Sequence, residues 1–217
     1  MLELSVGGAR PNDIIRLTEL DMKAWIARHE VKLDCSDAEF FLLIQALGAK
    51  KSFPDRLVQS TYLDSSDLFL FHESEEGLLP RLKVRTRWYD GEKRRRSLEV
   101  KVSEPYLRRK FVRPLDADPD APIIAQLGGR ELLERITVEY RRSYFEAASW
   151  RFTRDTEIVA RHVDSQREVR LPAAIHELKV ELRGRPRQID GGVDNPFGLS
   201  SRRFSKYCLA VSALSLS

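Results

Sequence analysis

Charged side chains occupy every second position in four short stretches of this 217-residue chain. The stretches are Arg28-Glu30-Lys32, Arg81-Lys83-Arg85-Arg87, Glu99-Lys101 and Glu177-Lys179-Glu181. The positions between them are mostly apolar, and a period of two predicts β-strands with one charged and one apolar face. A sheet face rich in guanidinium and ammonium groups, with a few carboxylates, suits a ligand that carries many negative charges along its length, held together with a divalent metal.

A repeated Glu-x-Lys unit indicates that these charges serve a common site. Glu30-Lys32, Glu99-Lys101 and Glu177-Lys179 each place a carboxylate and an ammonium on one strand face. On a single strand this alternation is also what any half-solvated antiparallel strand shows. Its repetition on three strands favours convergence on one space, and a closed barrel lined by these charges would form a polar tunnel.

The charge of the chain is unevenly distributed. The net charge is only +4, yet residues 81–113 contain 13 Lys+Arg against 4 Asp+Glu, and a local basic region of this kind attracts anions.

The two cysteines, Cys35 and Cys208, are expected to be reduced thiols, and the four histidines lack the spacing of zinc ligands. The N-terminus does not read as a secretion signal and no apolar run is long enough to span a bilayer, so we expect a cytoplasmic protein.

The elements that must position the charged residues can be placed along the chain. We expect an N-terminal arm over residues 1–24 and a single domain over residues 25–217. Strands are predicted at 25–33, 58–63, 68–72, 136–145, 150–158 and 174–182, and a hairpin of two further strands is predicted from the alternating residues 81–88 and 98–102. Helices are predicted at 36–47, 123–135 and 200–214, the first because Ser36 and Glu39 form a capping box ahead of an apolar run. This order indicates an α+β domain built on an antiparallel sheet.

The pairing of the two strands that flank Asp90-Gly91 can also be predicted. Side chains alternate between the two faces of a strand, so the number of residues in the connecting loop decides which residues of the two strands lie on the same face. If Lys83 and Glu99 lie on one face, the connecting loop has an odd number of residues, three or five. With three residues in the loop, Lys83 would face Glu99 across the sheet.

Eight short motifs, in order, resemble a known family. They are RHEVK (28–32), STYLD (60–64), LKVRTRWYD (82–90), LEVK (98–101), YRRSYF (140–145), RFTRD (151–155), HELK (176–179) and FSKY (204–207). Together they resemble the VTC-type polyphosphate polymerase domain of the triphosphate tunnel metalloenzyme (CYTH-like) superfamily. The resemblance implies an α+β fold with a closed antiparallel β-barrel of about eight strands and about three flanking helices.

The resemblance also implies roles for individual residues. Those expected to neutralise the reacting phosphates are Lys32, Arg85, Arg87, Lys101, Arg142, Arg151 and Lys206. Further phosphate contacts are expected from Lys83, Tyr140, Lys179, Ser205 and Lys110. Glu177 is expected to hold Mn²⁺ or Mg²⁺, with Glu30 either a second ligand or a structural ion partner, and Asp155 is expected to orient Arg151 or Arg142.

Three functions stay open at this point. The first is metal-dependent transfer of the γ-phosphate of ATP to a growing polyphosphate chain, and the second is hydrolysis of triphosphate or polyphosphate in the same tunnel. The third is a non-catalytic sensor of polyphosphate or nucleotide. Arg28 stands where the CYTH branch has the first glutamate of E-x-E-x-K, which favours the polymerase. A membrane-protein partner is compatible with the resemblance, whereas nothing in the chain resembles an RNA-binding aromatic motif, which disfavours nucleic acid.

Overall fold

A computed structural model describes residues 2–6, 15–16, 28–104, 108–115, 118–127, 129–148, 150–171, 174–181, 200 and 204–215. Its strands are β1 Leu2–Val6, β2 Ile15–Arg16, β3 Arg28–Leu33, β4 Lys50–Asp64, β5 Arg81–Tyr89, β6 Ser97–Ser103, β7 Arg108–Pro114, β8 Ile123–Leu127, β9 Arg130–Ala147, β10 Trp150–His162, β11 Glu168–Arg170 and β12 Ile175–Glu181. Its helices are α1 Asp37–Ala46, α2 Phe69–Glu76 and α3 Lys206–Ala213, with a short 3-10 turn at Lys93–Arg95. Among the described residues, no helix combines the length and the hydrophobicity needed to cross a membrane.

The strands form one antiparallel sheet, as the sequence predicts. Its central order is β7-β6-β5-β4-β9-β10-β12-β3, with β8, β1 and β2 extending from the start of β9 and β11 added to β10. The predicted closure into a barrel is not seen in the described part of the chain, where β3 pairs with β12 and β7 pairs with β6. Both outer strands therefore keep one edge that is not joined to the other by backbone hydrogen bonds.

Apolar side chains cover the sheet on both faces. Helix α3 packs on the face that we call the inner face, where its Val211 and Leu214 meet Val58, Ile136 and Val138. Helix α1 covers part of the outer face, and a third cluster lies where β8 packs over β5 and β6. The inner face is apolar where α3 covers it and polar beyond the first turn of that helix.

The predicted capping box of α1 is present. The Ser36 hydroxyl accepts from the Glu39 backbone N–H, and the Glu39 carboxylate accepts from the Ser36 backbone N–H. The last helix is shorter than predicted, because Ser205 is its N-cap and accepts from the Cys208 backbone N–H at 3.4 Å. Lys206 is therefore the first helical residue.

Two predicted elements are wrong. Residues 68–72, expected as a strand, begin α2, because the buried Asp64 carboxylate accepts from the backbone N–H groups of Leu70 and Phe71 in its first turn. Residues 123–135, expected as a helix, form the β8–β9 hairpin, in which Gly129 adopts a φ of +80°. Strands β1, β2, β7 and β11 were not predicted.

The β5–β6 hairpin has the predicted parity, and its pairing is the one that a five-residue loop gives, not a three-residue loop. Lys83 lies opposite Lys101, and Arg85, not Lys83, lies opposite Glu99. The connection holds seven residues, 90–96, because the 3-10 turn lengthens it and the buried Arg96 guanidinium donates to the carbonyls of Asp118 and Ala121. The charged residues stay on one face, and relative to a three-residue loop the pairing is shifted by two positions.

Candidate functional site

The strand register brings the predicted site residues onto the inner face. Arg85 lies opposite both Tyr62 and Glu99, and Arg142 lies opposite Asp155. Glu177 lies opposite Lys32 on one side and Thr153 on the other. Lys206 reaches the same space from α3, where its ammonium pairs with Asp155 at 2.5 Å. Side chains from seven strands and one helix therefore meet around the first turn of α3.

One group of cations surrounds Glu99, which is buried. Its Oε2 accepts from Arg85 Nε at 2.8 Å, its Oε1 accepts from Lys110 at 2.5 Å, and Arg87 lies 3.8 Å away. Burial alone would raise the pKa of Glu99, but Arg85, Arg87 and Lys110 together lower it to about 2. Glu99 is thus a structural ion partner of the arginines in this structure.

Arg87 and Arg85 are also fixed by hydroxyl groups. Arg87 Nε donates to Ser60 Oγ at 2.9 Å and its NH2 group donates to Tyr140 Oη at 3.2 Å. Arg85 NH1 donates to Tyr62 Oη at 3.1 Å. These hydroxyl acceptors orient the guanidinium groups without adding negative charge, so the two arginines share the single charge of Glu99 in the contacts described here.

A second group surrounds Asp155, which is fully buried. Arg142 donates to both of its oxygens, at 2.6 and 2.7 Å, and Lys206 pairs with Oδ2. Burial would raise the pKa of Asp155, but Lys206 and Arg142 lower it; burial would lower the pKa values of both cations, but the carboxylates raise them. Asp155 therefore orients Arg142, one of the two partners expected for it, and keeps Lys206 charged.

Glu177 lies beside this group and is held less closely. Its Oε2 is 3.5 Å from Lys179 Nζ and 3.6 Å from the Arg142 guanidinium. Burial would raise its pKa, but Lys179, Lys206 and Arg142 lower it well below the ordinary value. Glu177 is ionised, and its longer contacts leave it better placed than Asp155 to ligate a metal.

The start of α3 connects the two ends of the sheet. Lys32 on β3 donates to the Phe204 carbonyl, and Lys83 on β5 donates to Ser205 Oγ at 2.7 Å. Burial lowers the pKa of Lys83 to about 8, and nearby Lys32 adds to this effect. A polar cavity of about 190 Å³ adjoins this point, lined by Ser74, Glu75, Arg81, Lys83, Phe204 and Ser205.

The remaining predicted residues lie farther from this centre. Lys101 is placed between Lys83 and Lys110 by the register. Arg151 is half exposed at the rim, 3.3 Å from Glu146, and lies opposite Lys179. The backbone of Glu30 pairs with Lys179, but its side chain lies outside the described part of the structure.

Sequence reasoning missed several residues that shape the site. Ser60 and Tyr62 hold Arg87 and Arg85, and the alternation within the STYLD motif could have placed both on the inner face. Asp64 accepts from Tyr207 Oη at 2.6 Å and so ties the end of β4 to α3. Tyr207 in turn stacks on Tyr62, with ring centroids 5.0 Å apart.

The charges at this site do not balance. Among the described residues, eight cationic side chains take part in the central contacts given above: Lys32, Lys83, Arg85, Arg87, Lys110, Arg142, Lys179 and Lys206. The carboxylates that pair with them are Glu99, Asp155 and Glu177. Eight positive charges thus face three negative ones among the described side chains of these contacts, in a largely buried space. Since buried charge is unfavourable without partners, the site favours a polyanionic ligand.

The donor set fits one divalent ion bound together with phosphate. No group of three or more His, Cys, Asp or Glu side chains in the described ranges could hold a metal by itself. Mg²⁺ and similar ions commonly use one or two carboxylates and take their other ligands from water and phosphate oxygens. Glu177 supplies one carboxylate, and Glu30 is near it in the register, diagonally across β12 and β3.

Comparisons with known proteins agree with the resemblance. Residues 19–114 match the VTC domain family, which confirms the resemblance that the motifs predicted. No curated protein matches the chain. A solved structure with a similar fold is the PH1819 protein of Pyrococcus horikoshii OT3, which is 14% identical, with a TM-score of 0.51 over 86% of this chain and 99% of that chain.

Two other solved structures are similar with lower scores. An adenylate cyclase candidate from Vibrio parahaemolyticus is 12% identical, with a TM-score of 0.47 over 85% of this chain and 98% of that chain. An adenylyl cyclase candidate from Hippeastrum, described as having a dominant triphosphatase activity, is 13% identical, with a TM-score of 0.41 over 74% of this chain and 80% of that chain.

Proposed function

We propose that this chain is a metal-dependent polyphosphate polymerase. It would transfer the γ-phosphate of ATP to a growing polyphosphate chain and release ADP. The observation that carries this proposal is the excess of buried positive charge on the inner face, where eight described cations have three carboxylates among their contacts. Phosphate chains supply several negative charges in a row, which is the charge distribution that such a face lacks.

The cations differ in what they can do. Arg85, Arg87 and Arg142 present planar guanidinium groups, which can contact two phosphate oxygens at once, and each is already oriented by a carboxylate or hydroxyl. Lys206 and Lys83 provide point charges near the first turn of α3. Phosphoryl transfer depends mainly on alignment and on stabilisation of charge, so these groups supply most of what the reaction requires.

When bound, Mn²⁺ or Mg²⁺ would supply positive charge that stabilises the phosphates during transfer. Glu177 and Glu30 are the residues proposed to hold it. Lys179 and Arg142 flank Glu177 and keep its carboxylate ionised, as a metal ligand must be.

The state of the carboxylates supports a phosphate acceptor over water. The pKa of Glu99 is about 2 and those of Asp155 and Glu177 are lowered, so among the described residues these carboxylates are weak bases at neutral pH. The terminal phosphate of a chain is already ionised and needs no base. Its oxygen would attack the γ-phosphorus while the bond to the bridging oxygen of ADP breaks, and ADP leaves with the electron pair.

A single assay tests this proposal. The purified protein is incubated with ATP and Mn²⁺, and the products are separated by chain length. Polyphosphate with one ADP for each phosphate unit added supports the polymerase, whereas ADP and orthophosphate without polyphosphate would indicate a hydrolase. Binding without turnover would indicate a sensor, and either result would overturn the proposal.

A pair of variants shows that any product comes from this site. Lys206→Ala removes a cation from the centre and should abolish polyphosphate formation. Arg161→Ala removes a cation that pairs with Glu168 on the surface, and it should leave the activity unchanged. Equal activity in both variants would show that the inner face is not the site of reaction.

A further inference from the structure

Aromatic side chains gather at the edge of the inner face, around Arg56. Its guanidinium lies over the Tyr89 ring at 4.1 Å and is 6.0 Å from the Phe53 ring centroid. The Phe53 and Tyr144 rings meet edge to face at 6.0 Å. Arg56 Nε also donates to Asp90 at 3.1 Å, so the guanidinium is fixed in this position.

The register joins this aromatic group to the phosphate-binding residues. Phe53, Tyr144, Thr153, Glu177 and Lys32 form one row of paired positions across five strands. In the next row Arg56 lies opposite Arg142. A ligand that reaches from the central cations toward this edge would therefore meet Phe53 and Tyr144.

The Phe53 side chain is exposed to solvent and is not part of the buried core. Its side chain is 53% exposed, although most large apolar residues of the sheet are buried. The pairing of β4 with β9 is irregular on both sides of Phe53, between Lys51 and Phe53 and again between Phe53 and Arg56. Such irregularities commonly lie next to functional sites, where they redirect a side chain.

Tyr144 offers a complementary surface. It is half-buried; burial raises the pKa of its hydroxyl, whereas the Arg142 and Arg56 charges act in the opposite direction. Its hydroxyl therefore stays protonated at neutral pH, and the ring is neutral. A neutral ring beside an exposed ring can stack with a planar aromatic group, and stacking of this kind accepts any nucleobase.

We propose that Phe53 and Tyr144 form the stacking site for the base of a nucleoside triphosphate whose phosphates lie on the inner face. This inference rests on the proposed function, because it takes the inner face to be the phosphate site. It assigns a part of the substrate that inorganic triphosphate and polyphosphate lack. Nucleotide binding and inorganic phosphate binding should therefore respond differently to changes at this edge.

The test compares ATP with inorganic tripolyphosphate. Dissociation constants are measured by calorimetry in the presence of Mg²⁺, for the wild type and for Phe53→Ala. Loss of one stacking ring should weaken ATP binding about 5- to 150-fold, with tripolyphosphate affinity unchanged. Tyr144→Phe should retain ATP affinity, because it keeps the ring, whereas Tyr144→Ala should lower it. Phe41→Ala is the matched control, since Phe41 is also exposed but lies on α1 at the other face.

The outcomes separate this inference from the proposed function. If the wild type binds neither ligand, the phosphate site fails and the inference fails with it. If tripolyphosphate binds and Phe53→Ala leaves ATP affinity unchanged, or lowers both affinities equally, the stacking site is wrong while the phosphate site stands. Should Phe53→Ala fail to fold, Phe53→Trp decides, because quenching of the introduced indole by ATP but not by tripolyphosphate supports stacking. Equal quenching by both, or none, would overturn it.

Discussion

Glu99 provides a direct test of the charge imbalance on the inner face. Its carboxylate is buried and contacts Arg85, Arg87 and Lys110. Burial opposes ionisation, yet these cations lower its pKa from 4.5 to about 2, which corresponds to about 3 kcal/mol in favour of the folded state. Because the pKa is lowered on folding, this stabilisation is present above about pH 4.5 and is lost as the pH falls toward 2.

Glu99→Gln should therefore destabilise the protein at pH 7 by about 3 kcal/mol, the range measured when one partner of a buried ion pair is removed. The variant leaves the three cations without their carboxylate. A bound phosphate chain can replace that negative charge, so tripolyphosphate should bind the variant more tightly than the wild type. Its stabilising effect, which grows with ligand concentration divided by the dissociation constant, should be correspondingly larger in the variant.

Urea denaturation with and without tripolyphosphate measures both effects, and repeating it from pH 7 to pH 3 tests the titration. The wild type should lose stability toward the variant's level as Glu99 becomes protonated. Glu168→Gln is the control, because Glu168 pairs with Arg161 on the surface and its loss should change stability by less than about 1 kcal/mol. The reasoning is refuted if Glu99→Gln is as stable as the wild type, or if tripolyphosphate stabilises both proteins equally.

Three further predictions concern other parts of the site. Glu177→Gln should weaken Mn²⁺ binding in the presence of tripolyphosphate, without weakening tripolyphosphate binding in the absence of metal; unchanged metal affinity in a titration would exclude Glu177 as a ligand. Lys83, with a pKa of about 8, loses its charge above that pH, so tripolyphosphate affinity should fall between pH 7 and pH 9 in the wild type relative to Lys83→Arg, and parallel pH profiles would contradict this. Tyr207→Phe removes the 2.6 Å hydrogen bond to Asp64 and should cost about 1–3 kcal/mol in the free energy of unfolding, measured by urea denaturation; a change within error would show that this bond does not anchor α3.

Local patterns predicted which residues share a face, but not which residues face each other. On β5 and β6, the residues that share a face are decided by the alternation of charged and apolar residues and by an odd number of loop residues. Both features are visible in the sequence. The register depends on how long the loop is, and that length depends on Arg96. Its contacts with the Asp118 and Ala121 carbonyls join segments more than 20 residues apart, so no local pattern could reveal them.

The two misassigned elements have the same kind of cause. Residues 123–135 carry apolar side chains at spacings that suit either a helix or a hairpin, and the hairpin forms because Ile123 and Leu132 are buried in the cluster over β5 and β6. Residues 68–72 read as a strand by composition, but Asp64 provides the acceptors that start a helix there. In both regions tertiary contacts outweigh local preference.

The residue types of the site were predictable, but their pairings were only partly so. Alternation and family motifs identified the cations, and Asp155 was expected to orient either Arg151 or Arg142. The structure pairs it with Arg142. Lys32 and Phe204 are 172 residues apart in the sequence, and a contact to a backbone carbonyl leaves no trace in residue types.

Helix α3 explains how so much positive charge can be kept in one place. Its C-terminal half buries Val211 and Leu214 completely in the core, and each such side chain contributes about 1.5–3 kcal/mol when fully buried. Its first turn holds Lys206 near Arg142, with Ser205 in contact with Lys83. Hydrophobic burial at one end of the helix thus offsets the repulsion between cations at the other, so the cations do not need an equal number of carboxylates. That is the condition under which a site can stay folded without ligand and still attract a polyanion.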